Sequence, residues 1–253
     1  MIEKGYAKLY GNYSNIQAGE VSSALADLNY MGFPDRILLK DMQSNSASFS
    51  AFLQRQMQLG TMLGVGSAEA KGGDTANNGR GIVMNHAYAI LQVKEYNNQL
   101  LLQLRNPHGS KFTTLEWMGD WADDSEQWDT RAMARMKYKP ETDYDAKPDG
   151  IFWMNSTDLL QNFKYFYTCR VLSENNGWFK AEQRGNLVNS SNKLSLPQYK
   201  LKIMKSGTAF VQIRQLGENA STYKGNNYLM FICTDEKGGK MQKILRRNVI
   251  GNS

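Results

Sequence analysis

Apolar positions recur at helical intervals near the start of the chain, where Tyr6, Leu9, Tyr10 and Tyr13 are spaced by three and four before Gly11 and Asn12 weaken the pattern. The spacing predicts one short amphipathic helix, or the end of one, within Ile2 to Tyr13. Short apolar runs at Ala24 to Leu28 and Ile37 to Leu39 are separated by Gly32 and Pro34, and the serine-rich turn Ser44 to Ser50 is placed to cap a helix over Phe49 to Gln58. Thr61 to Val65 reads as a strand, and Ala70 to Arg80 as a polar, glycine-rich loop without an apolar anchor. Ile82 to Met84, Ala87 to Val93 and Leu100 to Leu104 read as adjacent antiparallel strands, the last two joined by a turn at Tyr96 to Gln99. An acidic, tryptophan-rich stretch from Trp117 to Trp128 precedes a short predicted helix, Thr130 to Met136. A charged loop, Lys139 to Gly150, leads to a strand at Ile151 to Met154 and a helical run through Leu159 and Phe163. Beyond Cys169, the segments at Tyr199 to Ile203, Phe210 to Ile213 and Tyr228 to Cys233 are spaced like strands of an antiparallel sandwich.

Composition narrows the class. At 253 residues the chain holds one core or two small domains, and its 41% apolar and 21% charged residues are those of a soluble globular protein. No run approaches the roughly 18 apolar residues of a membrane span, and Met1 to Tyr10 lacks the pattern of a signal peptide, so the expected location is cytoplasmic. Cys169 and Cys233 are too few for a disulfide framework, and no cysteine or histidine spacing suggests a zinc site; both read as buried thiols. Charge is unevenly divided. Residues 1–168 carry 16 basic and 19 acidic side chains and residues 169–253 carry 14 and 5, which predicts a boundary near position 168. The basic half could meet an acidic membrane surface or an acidic partner, but its charges are scattered like those of a solvated surface and no nucleic-acid motif accompanies them.

The chain has two histidines, His86 and His108, each at the end of a predicted strand and close to an asparagine. A lone histidine is more often structural than catalytic, and composition alone decides nothing further. The segment Gly81-Ile-Val-Met-Asn-His-Ala-Tyr-Ala-Ile90 resembles the calpain segment in which the catalytic histidine is followed by Ala-Tyr at the start of a core strand. About twenty residues on, Leu104-Arg-Asn-Pro-His-Gly109 is similar to the calpain Arg-Asn-Pro-Trp-Gly segment that supplies the catalytic asparagine. Papain-like chemistry needs an imidazole to take a thiol proton and an amide carbonyl to hold that imidazole in the productive tautomer. The resemblance therefore assigns His86 as general base and Asn106 as the group that orients it.

Further motifs extend the resemblance over nearly the whole chain. Glu3-Lys-Gly-Tyr-Ala-Lys-Leu-Tyr-Gly11 resembles the calpain Glu-Lys-Ala-Tyr-Ala-Lys stretch, Glu116-Trp-Met-Gly-Asp-Trp121 its Glu-Trp-Thr-Gly pattern, and Asp149-Gly-Ile-Phe-Trp-Met154 its Asp-Gly-Glu-Phe-Trp-Met. Leu196-Pro-Gln-Tyr199 resembles the Asn-Pro-Gln-Tyr of the β-sandwich that follows in that family. The implied fold class is α+β: a remnant of the first protease lobe over 1–45, an antiparallel second lobe over 46–168, and a partial antiparallel β-sandwich over 169–253. Calpains bind calcium in the second lobe, and the resemblance places ligands at Glu116, Asp123 and Asp149, whose hard oxygens suit that ion. Ile151 stands where the family has a Glu, which removes one carboxylate. Residues 116–149 carry ten acidic side chains, and a merely solvated acidic face is the competing reading.

Two departures bear on activity. The family nucleophile sits in a Gly-Asp-Cys-Trp segment that this sequence does not contain, and neither Cys169 nor Cys233 matches it. The chain by itself is therefore expected to be inactive, with protein substrates cleaved only when a cysteine-bearing first lobe completes the site. His108 occupies the position of a Trp that shields the catalytic pair, so the surroundings of His86 are expected to be wetter. The reading that follows is a calpain-like, calcium-dependent cysteine endopeptidase of intracellular proteins. The alternative is a non-catalytic calpain-like module that binds a partner or a membrane.

Overall fold

The computed structural model describes residues 1–29, 31–43, 46–109, 116–138, 149–183, 188–190, 193–195, 202, 204 and 207–211. Six strands form one wholly antiparallel sheet: β1 (Phe33–Leu38), β2 (Met62–Gly66), β3 (Ala87–Tyr96), β4 (Gln99–Arg105), β5 (Ile151–Asn155) and β6 (Tyr165–Arg170), in the order β1-β6-β2-β3-β4-β5. Five helices accompany it: α1 (Ile2–Leu9), α2 (Val21–Asp27), α3 (Ser46–Gln58), α4 (Thr130–Met136) and α5 (Ser156–Asn162). The architecture is the expected α+β class.

The uninterrupted apolar run in β4 follows from burial on both faces of the sheet. Leu100, Leu102 and Leu104 enter one core with Phe49 and Leu53 of α3, Leu159 and Leu160 of α5, and Phe166 of β6. Leu101 points the other way, into a second cluster with Trp121, Met136, Tyr138 and Trp153. Caps fix the two short helices of the second half. Asp129 accepts the Ala132 N–H at 2.6 Å and starts α4, and Asn155 accepts the Asp158 N–H at 2.7 Å and turns β5 directly into α5. β3 and β4 are joined through Asn97 and Asn98, with φ of 47° and 61°, the left-handed pair that a two-residue hairpin requires.

The structure departs from the sequence pattern in two places. Ile82 to Met84, expected as a strand, makes only an isolated bridge between Asn77 and Val83. Its backbone groups are met by side chains and by the preceding loop: the Ile82 N–H donates to Asn78 Oδ1 at 3.1 Å and the Val83 N–H to the Tyr88 hydroxyl at 2.9 Å, while the Met84 N–H donates to the Ala76 carbonyl at 2.9 Å. The second departure is that β1, inside the segment 1–45 assigned to a separate lobe remnant, pairs along its whole length with β6. The sheet thus draws on both sides of position 45, with Pro34 tolerated because β1 is an edge strand. β6 also runs two residues past 168.

Of the expected sandwich, the described residues include one hairpin, β7 (Val188–Ser190) with β8 (Lys193–Ser195). Phe210 and Val211 are irregular, and Phe210 packs on Phe33 with ring centroids 4.7 Å apart. The other sandwich segments, including Tyr199 and Tyr228 to Cys233, lie outside the described residues, as does most of the loop from Lys139.

Candidate active site

The site begins with strand register. β3 and β4 pair as far as Ala89 opposite Arg105, so the residues just beyond that pair, 86–88 and 106–108, lie side by side. His86 is tied down by its backbone: its N–H donates to Ser67 Oγ at 3.0 Å, and its carbonyl accepts the Ser67 N–H at 3.0 Å. Asn85, just before it, takes a left-handed φ of 50°, a conformation asparagine tolerates better than most residues. The Asn85 side chain secures the neighbouring loop by accepting the Ala70 N–H at 2.5 Å.

Asn106 is almost fully buried, 2% exposed, and its backbone N–H, its carbonyl and its side-chain oxygen all build the site. Its N–H donates to the Gly150 carbonyl at 2.7 Å and its carbonyl accepts the Gly109 N–H at 3.0 Å. Its side-chain Oδ1 accepts the His108 backbone N–H at 3.0 Å and lies 2.9 Å from His86 Nε2. A backbone N–H can only donate, so the atom it meets is the amide oxygen, and the ring nitrogen facing the same oxygen must be the donor. Neutral His86 is therefore the Nε2–H tautomer, with its lone pair on Nδ1. The structure brings the two residues named from the sequence within hydrogen-bonding distance of each other.

Burial pushes the His86 imidazole below its ordinary value of 6.5, opposed by the hydrogen bond to Asn106; His108 adds to the lowering and Asp74 works against it. His108 does not leave the pair open. Its ring stacks on that of His86, with centroids 4.1 Å apart and planes 9° from parallel, and its Nε2 lies 3.9 Å from Asp74 Oδ2. Tyr88 closes another side, edge-on at 5.3 Å. The sequence gives no sign of this role for Asp74, because the loop that carries it has no apolar anchor. Surface concavities of about 400 and 250 Å³ are lined by other residues, so the pair lies outside them.

Cys169 is fully buried in β6 opposite Met62, at the far end of β2 from Gly66 and the His86 loop. Met62 and Gly66 are four residue steps apart along the strand, about 13 Å. Burial pushes the Cys169 thiol up to about 11, so it is un-ionised as well as remote.

Glu116 and Asp149 are neighbours across the base of the site. Glu116 accepts the Gly150 N–H at 2.8 Å, and Asp149 accepts the Ile151 N–H at 2.7 Å. Burial raises the Glu116 carboxyl, with the Asp149 charge adding to the rise; the Gly150 N–H and a hydrogen bond with Asp123 act the other way. The donor chemistry suits a hard cation and the crowding of carboxylates is what such an ion would relieve. The geometry fits less well: among the described residues no three His, Cys, Asp or Glu side chains gather closely enough to hold a metal ion. No helix among the described residues is long and apolar enough to cross a membrane.

An imidazole with its lone pair on Nδ1 and its other nitrogen held by a buried amide oxygen can take up a proton at Nδ1 without losing its orientation. Residues 1–170 match the family described as calpain family cysteine protease, and the chain belongs to that family. It is 33% identical over 243 residues to the calpain-type cysteine protease DEK1 of Arabidopsis thaliana, covering 90% of this chain and 11% of that protein. Against the calpain-type cysteine protease ADL1 of Oryza sativa it is 33% identical over 212 residues, 80% of this chain and 9% of the relative. Calpain clp-4 of Caenorhabditis elegans is 32% identical over 178 residues, 69% and 24% of the two chains. The chain spans about a tenth of the length of the plant relatives it matches.

Proposed function

We propose that this chain carries the general-base half of a cysteine endopeptidase that cleaves proteins, with His86 as base and then acid and Asn106 as its orienting partner. The observation that supports the reading most strongly is the 2.9 Å contact between His86 Nε2 and an Asn106 Oδ1 that a backbone N–H already identifies as an acceptor. Nδ1 then takes the proton of a thiol, and the thiolate attacks the peptide carbonyl carbon. As the C–N bond breaks, the imidazolium returns its proton to the leaving amine, and Nδ1 next activates the water that releases the acyl group. The thiol this scheme needs is not Cys169. We assign it to a cysteine-bearing lobe, in the same longer polypeptide or on a second chain, that faces the end of the sheet where His86 lies.

Reconstitution tests this. The 253-residue chain should not hydrolyse a protein substrate by itself. Mixed or fused with a calpain lobe bearing Gly-Asp-Cys-Trp it should, and His86→Ala should abolish the activity. Activity that survives His86→Ala would remove the assignment. A complex that forms but never cleaves would favour the non-catalytic module instead.

Calcium dependence belongs to the same proposal, through Glu116, Asp123 and Asp149, with Ile151 supplying no carboxylate. Its support is the crowding of Glu116 by Asp149. Calorimetric titration should give heat at millimolar calcium that is lost in Glu116→Gln; an absence of heat removes it. Attraction of the basic segment 169–253 to acidic membranes is a separate proposal, tested by sedimentation with anionic vesicles at low salt.

A further inference from the structure

We propose that Asp74 and His108 are a positioning pair for His86: the His108 ring lies flat against one face of the His86 ring, and Asp74 holds His108 at its Nε2 edge. The proposal deepens the reading of His86 as a base and rests on it for its catalytic meaning.

The contact to Asn106 pins one atom of the His86 ring but does not by itself stop the ring from rocking about Cβ–Cγ. A second flat ring at 4.1 Å and 9° does, because rotation of either ring drives its edge into the other. His108 is suited to that place for two reasons. Its backbone N–H is the donor that fixes Asn106 Oδ1, so one residue sets both the amide orientation and the ring face. Its side chain also offers a polar edge, and Asp74 Oδ2 lies 3.9 Å from its Nε2, close enough for electrostatic attraction to the ring N–H edge though too far for a hydrogen bond.

Asp74 can act as a fixed post because its loop is braced from within. The Gly73 N–H donates to the Ala70 carbonyl at 3.1 Å, Thr75 Oγ1 donates to the Gly72 carbonyl at 2.7 Å, and the Met84 N–H donates to the Ala76 carbonyl at 2.9 Å. The polar loop between β2 and β3 thus reaches across to the turn after β4.

The electrostatic consequence runs in the same direction. Asn106 orients His86 without charge, so the imidazolium formed when His86 takes a proton has no carboxylate against it in the pair itself. Asp74, 62% exposed, supplies a negative charge beside the His108 Nε2 edge and favours the protonated form of His86. The groups facing His86 are then Asn106 and His108 from the turn after β4, Asp74 from the loop, and the Tyr88 ring from β3.

The test is NMR on the chain labelled with ¹⁵N-histidine and needs no nucleophile, so it can succeed or fail independently of any reconstituted proteolysis. Two quantities are read: solvent exchange of the His86 Nε2–H proton and the titration midpoint of His86. His108→Phe should keep exchange slow, because the flat face is retained, and His108→Ala should speed it several-fold. Asp74→Asn should speed exchange in the parent chain and lower the His86 midpoint by about 0.3 pH unit, the size of a screened interaction with an exposed carboxylate. The exchange effect of Asp74→Asn should vanish in the His108→Ala background. If His108→Ala does not fold, His108→Leu, which keeps bulk without a flat ring, serves in its place. Unchanged exchange in Asp74→Asn, or an effect of equal size without the His108 ring, overturns the proposal.

Discussion

Asn106 Oδ1 accepts the backbone N–H of His108 at 3.0 Å, and that contact decides which nitrogen of the neighbouring imidazole carries the proton. The amide cannot turn its NH₂ toward His86 without setting two donors against each other, so the lone pair stays on Nδ1.

Asn106→Ala removes an acceptor shared by two donors in a buried place. The His108 N–H is stranded and the His86 ring loses its anchor, and leaving such groups unmade costs about 1–3 kcal/mol. A fall in urea-unfolding stability of about 2 kcal/mol is expected. Asn106→Asp should keep the acceptor and add a charge, raising the His86 midpoint in an NMR titration.

The pH dependence of stability follows from the depressed His86. Its folded value lies below 6.5, so under acidic conditions the unfolded chain binds more protons than the folded one. Stability from this group is fully present above pH 6.5, declines as the pH falls from there through the folded midpoint, and levels off below it. Urea unfolding of the parent chain and of His86→Asn across this window should therefore diverge toward acid, the parent losing more. Curves that run parallel contradict the burial of the ring.

Gly150→Ala should damage the site from outside it. Gly150 has φ of 90°, and a Cβ there would lie 2.8 Å from the Asn106 carbonyl oxygen and 2.9 Å from Gly109 Cα. Strain of this kind costs on the order of 1–3 kcal/mol before any clash is relieved. Loss of the Asn106 hydrogen bond to the Gly150 carbonyl should follow, with the His86–Asn106 contact broken in the NMR spectrum while most of the sheet is retained.

Cys169 should behave as a structural thiol. It is fully buried and pushed up to about 11, so iodoacetamide should leave it unmodified in the native chain and alkylate it after denaturation, as read by site-resolved mass spectrometry. Rapid native alkylation would reopen it as a nucleophile.

How much of this was legible in the sequence depends on where each interaction is encoded. The helix Thr130–Met136 and a helical run through Leu159 are legible locally, and the structure shows the two short helices held by the local caps Asp129 and Asn155, the second ending at Asn162 and not running through Phe163. His86 and Asn106 were readable because each sits in a distinctive short motif at a strand end. Ile82 to Met84 misled because its partners are the side chains of Asn78 and Tyr88 and the backbone of the loop just before it, which leave no periodic trace. The membership of β1 in the sheet depends on pairing with a strand more than a hundred residues away, which no local pattern carries. Asp74 was invisible for a similar reason: its meaning lies in a contact across the site, and its own loop is merely polar.

The most direct measurement is the tautomer of His86, from the ¹⁵N shifts and ring couplings of a ¹⁵N-histidine-labelled chain near neutral pH. The account requires a neutral ring protonated on Nε2, with that proton in slow exchange and lost from slow exchange in Asn106→Ala. A ring protonated on Nδ1, or one whose Nε2–H exchanges equally fast with and without Asn106, would contradict it.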